Sequence, residues 1–168
     1  QGFDGSGKKE LQVLDYRQQQ HRLLPLLATS YCFFFTGRFV LDRLKDIETR
    51  LVQGGGDGGG GEVTKAEVSD VHASSSALKS FMTMTAADGI EECRKACGGH
   101  GYLQCSGLPE LSGTYLMNPT VEGDNHMLPQ QVLKVLLKIV PAVRRDGEAK
   151  TAEVYESCDC RYLVPEIA

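Results

Sequence analysis

Residues 54–61 read Gly-Gly-Gly-Asp-Gly-Gly-Gly-Gly. A regular helix or strand is costly there, because glycine loses more backbone freedom on folding than any other residue. The chain must therefore be built from elements on either side, and residues 53–61 read as a flexible linker. Clustered glycines also serve in phosphate-binding loops. Here no apolar strand precedes the run and no Gly-Lys-Ser/Thr closes it, which argues against that use.

Ahead of the linker, apolar residues stand at Leu23, Leu27, Tyr31, Phe34, Leu41 and Leu44. Their steps of three, four or seven are the period of a helix. One long helix is expected from about Leu14 to Val52, started late or bent by Pro25 and Gly37, with residues 1–13 as a flexible lead-in. Beyond the linker, Thr64 and Glu67 have the spacing of a capping box. They open a second helix carrying Val71, Leu78, Phe81, Thr85, Ile90 and Cys93 inward. Small residues Ala73, Ser74, Ser75, Ala77 and Ala86 on its buried stripe would let a neighbour approach closely. Gly98 and Gly99 end it in the left-handed conformation that helix C-termini favour.

Residues 99–121 read as a loop with short structure around Leu108 to Leu116. A third helix is expected from about Asn125 to Val143, with Leu128, Val132, Val135, Ile139 and Val143 on one face and Asp124 or Asn125 as N-cap. Residues 146–168 form a polar tail. No segment alternates as a strand would, so the fold class is all-α: a helical bundle over residues 14–145, antiparallel between neighbours.

Composition excludes some functions. The net charge is −4, from 18 basic and 22 acidic side chains, with no Lys/Arg stripe, so nucleic acid is not an expected partner. The run "LLPLLATSYCFFFTGRFVL" contains Pro25, Ser30, Thr36 and Arg38 and reads as a buried core helix rather than a membrane span. Six cysteines without a secretory leader point to free thiols. The opening on Gln1 suggests a piece of a longer chain, and the final "VPEIA" is not a peroxisomal address.

Two stretches carry chemistry. In "CRKACGGHGYLQCSG", Cys93, Cys97, His100 and Cys105 have the residue types of a zinc site. However, Cys93 and Cys97 lie one turn apart on the helix face that carries Ile90, so core packing accounts for them and no metal is expected. The Gly-Gly-His-Gly segment has two equal readings, a helix stop followed by a turn, or backbone that a ligand approaches closely. In "NPTVEGDNHML", Glu122 stands just ahead of a helix start, where N–H groups and partial positive charge gather. Covered in part by Val121 and Met117, it could act as a base. From the residues alone, an exposed loop carboxylate favouring the helix dipole is the better reading.

The order and spacing of "LDYRQQQHRLLPLLATSY", "ACGGHGYLQCSGLPEL" and "PTVEGDNHML" resemble the C-terminal half of the acyl-CoA oxidases, over about residues 12–140. These are FAD-dependent oxidoreductases of peroxisomal fatty-acid β-oxidation, related to the acyl-CoA dehydrogenases. The resemblance implies a helical C-terminal domain that holds part of FAD, often across a homodimer interface. It makes Glu122 the catalytic base and places Gly98, Gly99, Gly101, Asp124 and Asn125 at the cofactor, with His100 less firmly placed. It further implies acyl-CoA and O2 as substrates and the peroxisome as location. A dehydrogenase relative would pass electrons to a carrier protein instead. Val121 departs from the family pattern, which has an aromatic residue before the base, and Pro129 falls in the first turns of the third helix. The family's acyl-CoA-binding β-domain and N-terminal helical domain are not in the sequence. These 168 residues alone are therefore expected to be inactive, and a truncated relative serving only in dimerisation or binding is the alternative.

Overall fold

The computed structural model describes residue 7, residues 10–53 and residues 63–138. The glycines of the linker, residues 1–6 and the 146–168 tail lie outside the described residues. Among the described residues the regular elements are all helical. A 3-10 turn, Val13–Asp15, leads into α1, Arg17–Gln53. Then come α2, Lys65–Ala96, two 3-10 turns at Gly98–Tyr102 and Gln104–Ser106, and α3, Leu108–Tyr115. A last helix, α4, is described over residues 128–138. Ile139 and Val143 of the predicted third helix lie outside the described residues.

These residues divide into two compact units, one of the residues up to Phe35 with Met84–Asn118, the other of Thr36–Thr83 with the residues from Pro119. In the first unit, α1 and α2 run antiparallel. Gln19 Nε2 donates to the Ala96 carbonyl at 3.0 Å and Arg22 pairs with Glu92 at 3.1 Å. Leu26 reaches Gly89 so closely that a Cβ there would lie 3.3 Å from its methyl. In the second unit the same sense is kept. Arg43 pairs with Asp70 and Arg50 with Glu67, both at 2.9 Å.

The half-buried or buried positions of α1 include Arg22, Leu26, Thr29, Phe33, Thr36, Val40, Arg43, Ile47 and Arg50. Their steps alternate between four and three, a heptad seam. This corrects the inward face read from the sequence. Leu27, Tyr31, Phe34, Leu41 and Leu44 are exposed, from 39% at Leu44 to 61% at Tyr31. Apolar side chains ring α1, and a helix that is apolar on several sides does not announce its buried face. The seam is chosen by its arginines, whose carboxylate partners lie on α2. The expectation of a buried core helix is corrected with it. α1 is long and apolar enough to cross a membrane by length and composition, and none of its apolar window is buried in this chain.

The start of α2 is as predicted. The Thr64 N–H donates to Glu67 Oε2 at 2.9 Å, and the Glu67 N–H donates to Thr64 Oγ1 at 3.2 Å. On its stripe Ala73 is buried and Ser74, Ala77 and Ala86 are half-buried as expected, whereas Ser75 is exposed and Ser76 and Ala87 are buried beside them. Phe81 is 62% exposed, not inward. Gly98 has φ +59°, so α2 stops at the predicted place. α4 begins at residue 128, later than predicted; Pro129 has no N–H to give the Asn125 carbonyl, which accepts from Ser80 Oγ instead. Pro129 is then the second helical residue, where its missing N–H costs no intrahelical bond. Leu128, Val132 and Val135 form the half-buried face, as predicted.

Candidate functional site

The Gly-Gly-His-Gly segment belongs to the first unit. Gly98 and Gly99 have nothing within 4 Å of where a Cβ would stand, so their backbone faces open space. Gly101 is different. It is buried, and a Cβ would lie 1.9 Å from the Arg94 carbonyl oxygen. Only glycine lets this turn fold back onto the end of α2. Arg94 completes the fastening, with its guanidinium 4.3 Å from the Tyr102 ring centroid and paired to Glu91. The Arg94 hydrogen bonds hold the Glu91 carboxyl below the usual carboxylate range. Arg94 and Tyr102 escaped the sequence reading. Their only signal was an aromatic residue just beyond a helix stop.

The cysteines of this segment do not assemble. Cys97 and Cys105 are exposed. Cys93 lines an apolar groove of about 370 Å³ with Leu26, Phe33, Ile90 and Leu108. Among the described residues no three His, Cys, Asp or Glu side chains converge as metal ligands.

Glu122 to Asn125 belong to the second unit. Glu122 has φ +55°, the one positive value among described non-glycine residues, and Gly123 follows at +111°. Such a backbone costs about 1–3 kcal/mol for a residue with a side chain and persists only where its surroundings hold it. Glu122 is exposed, as are the residues expected to cover it, Val121 at 40% and Met117 at 56%. At Gly123 a Cβ would meet Leu128 Cδ2 at 2.9 Å. Asp124 shapes the approach to α4. Its Oδ1 accepts from the His126 N–H at 2.8 Å, and its carbonyl accepts from the N–H groups of Met127 and Leu128.

Asn125 is 7% exposed and fully engaged. Its Oδ1 accepts from Lys79 Nζ at 2.9 Å. Its Nδ2 donates to the Ser80 carbonyl at 3.1 Å and to Thr83 Oγ1 at 2.9 Å. Its N–H donates to the Pro119 carbonyl and its own carbonyl accepts from Ser80 Oγ. Lys79 Nζ also donates to the Gly123 carbonyl. Lys79, Ser80 and Thr83 lie more than forty residues from Asn125 along the chain and have no local sequence signal.

The family model of the acyl-CoA oxidase C-alpha1 domain matches residues 1–137. The chain belongs to the acyl-CoA oxidase family. Peroxisomal acyl-coenzyme A oxidase 1 of Arabidopsis thaliana is 47% identical over 135 residues, 80% of this chain and 19% of that protein. The Rattus norvegicus oxidase of the same name is 42% identical over 135 residues, again 80% and 19%. Among solved structures, Arabidopsis thaliana acyl-CoA oxidase 1 aligns with a TM-score of 0.75 at 44% identity, over 88% of this chain and 21% of that one. Acyl-CoA oxidase-1 of Caenorhabditis elegans, solved with FAD and ATP, gives 0.74 at 33%, over 86% and 21%. The chain thus spans about a fifth of the length of these acyl-CoA oxidases. The helical character read from the sequence agrees with these relatives.

Proposed function

We propose that these residues form the part of a peroxisomal acyl-CoA oxidase that carries the catalytic base and one wall of the FAD site. The observation that carries this reading is Glu122. It is a carboxylate held on a left-handed backbone, in a chain whose relatives are oxidases at 41–47% identity. Positive φ at a residue with a side chain is a recurrent feature of functional sites.

In this reading the Glu122 carboxylate takes the α-proton of the acyl thioester. That proton is weakly acidic, and a positioned base contributes about 10²–10⁴ in rate. FAD, held in this reading beside Gly98 and Gly99, would supply the acceptor for the hydride leaving the β-carbon and the route of that electron pair to O2, so the products would be trans-2-enoyl-CoA and H2O2. Gly98 and Gly99 fit a flat cofactor, since open space lies where their side chains would be. Gly101 holds that turn in shape. Asp124 and Asn125 come after the base and stand near the cofactor in this reading, with the Asn125 side chain turned to α2. The exposed apolar face of α1 then packs against protein, not lipid. We place the enzyme in the peroxisome as a homodimer.

A coupled peroxide assay on the full natural polypeptide, with acyl-CoA thioesters of several lengths, tests the reading. Turnover should appear in the parent and vanish in Glu122→Gln with flavin still bound. A flavin-free parent that only self-associates would instead make this chain a dimerisation or binding module.

A further inference from the structure

Glu122 is strained, exposed and on a turn, yet a base must be held within a fraction of an ångström of its proton. Something must impose that backbone. The glycine at 123 permits the turn but does not fix it. Asp124 acts on the residues after it, toward α4. The face of α2 that carries Lys79, Ser80 and Thr83 bonds directly to the residues just beyond Glu122.

We infer that Lys79, Ser80 and Thr83 are positioning residues for Glu122, a polar clamp on α2 that grips the chain just beyond it through Gly123 and Asn125. The inference rests on the proposal that Glu122 is the base. Lys79 uses one ammonium for two acceptors, the Gly123 carbonyl and Asn125 Oδ1. Ser80 serves the same asparagine twice, as Oγ donor to its carbonyl and as carbonyl acceptor from its Nδ2. Thr83 donates its hydroxyl proton to the Lys79 carbonyl at 2.7 Å, which leaves its Oγ1 lone pairs for the second Nδ2 hydrogen.

Every donor of Asn125 is therefore used. With the Gly123 and Asn125 carbonyls held, the Gly123–Asp124 and Asn125–His126 peptide planes have little room to rotate, which anchors the chain one peptide beyond Glu122. A charged donor makes the Gly123 contact stronger than a neutral one would be. In this inference the clamp acts through Glu122, not on a reacting atom. Its contribution is to place the carboxylate, and misplacement on the ångström scale costs about 10²-fold in rate.

The test is single-turnover reduction of the flavin by acyl-CoA without oxygen, in the full natural holoenzyme. Lys79→Met should slow reduction about 10- to 100-fold. Flavin content and KM should hold, and the isotope effect from α-deuterated substrate should rise. Lys79→Arg, which keeps a donor, should recover part of the rate. Should Lys79→Met fail to load flavin, the milder Ser80→Ala/Thr83→Val pair decides, with the same slowing expected. Wild-type reduction rates in the clamp variants, while Glu122→Gln is dead, would overturn the clamp and leave the base standing. Loss of flavin from both clamp variants would also overturn it, as a purely structural role. A Glu122→Gln enzyme that reduces flavin normally would remove the base and the clamp together.

Discussion

At the scale of single residues, the two turns of this chain use backbone freedom in opposite ways. Gly101 is there because space is missing, with Arg94 where a side chain would begin. Glu122 is there in spite of its backbone, whose φ of +55° suits glycine better. Gly101→Ala should therefore destabilise the protein by about 1–3 kcal/mol or more, as overpacking does. Thermal unfolding of the full protein would show it, and a variant as stable as the parent would refute the close approach. Glu122→Gly has the opposite sign. It removes the strained side chain and should leave stability equal or up to about 1 kcal/mol higher, while turnover is lost. A less stable Glu122→Gly protein would mean that the carboxylate makes contacts that outweigh its strain. From the sequence, the glycine stop at Gly98 was readable because it depends on neighbours a few residues away. The role of Gly101 was not, because it depends on how the turn folds back.

At the scale of elements, α1 and α2 are joined by polar pairs set into an apolar surface. Asp70 is 1% exposed and faces Arg43 at 2.9 Å. Asp70→Ala should cost about 3–5 kcal/mol by removing one partner of a largely buried pair, whereas Arg43→Met with Asp70→Leu should recover most of that loss. A double-mutant cycle on unfolding free energy checks both. At the other pair, the hydrogen bond from Arg50 and then the one from the Thr64 N–H hold the Glu67 carboxyl below its ordinary 4.5. A depressed folded value means that the stabilisation is fully present above 4.5 and disappears as pH falls through the lower folded value. The stability gap between the parent and Glu67→Gln should thus be constant near neutral pH and close below pH 4.5. A gap that persisted unchanged into strong acid would contradict the pairing. The Thr64–Glu67 box could be read from sequence because its partners are three residues apart. The inward face of α1 could not, since Arg22, Arg43 and Arg50 look like solvent-facing residues until Glu92, Asp70 and Glu67 are placed opposite them.

At the scale of the molecule, the exposed aromatic and aliphatic residues of α1, among them Tyr31, Phe34 and Phe35, are more apolar surface than an isolated soluble chain leaves uncovered. In the proposed enzyme the rest of a polypeptide about four times as long covers them. The 168 residues alone should give no peroxide from any acyl-CoA, and turnover by them would refute this picture. The family was legible from three short blocks in order. The role proposed for Glu122 rests on that resemblance, since by itself it looks like a loop carboxylate. The clamp of Lys79, Ser80 and Thr83 was invisible because its partners are brought together by the fold alone.

The central claim is that Glu122 removes the α-proton. It is tested most directly by mixing the full natural flavoenzyme with saturating acyl-CoA under anaerobic conditions and monitoring the visible absorbance of the flavin. The parent should bleach rapidly. Glu122→Gln should bind flavin and thioester yet bleach more slowly by about 10²–10⁴-fold. Equal rates would contradict the account.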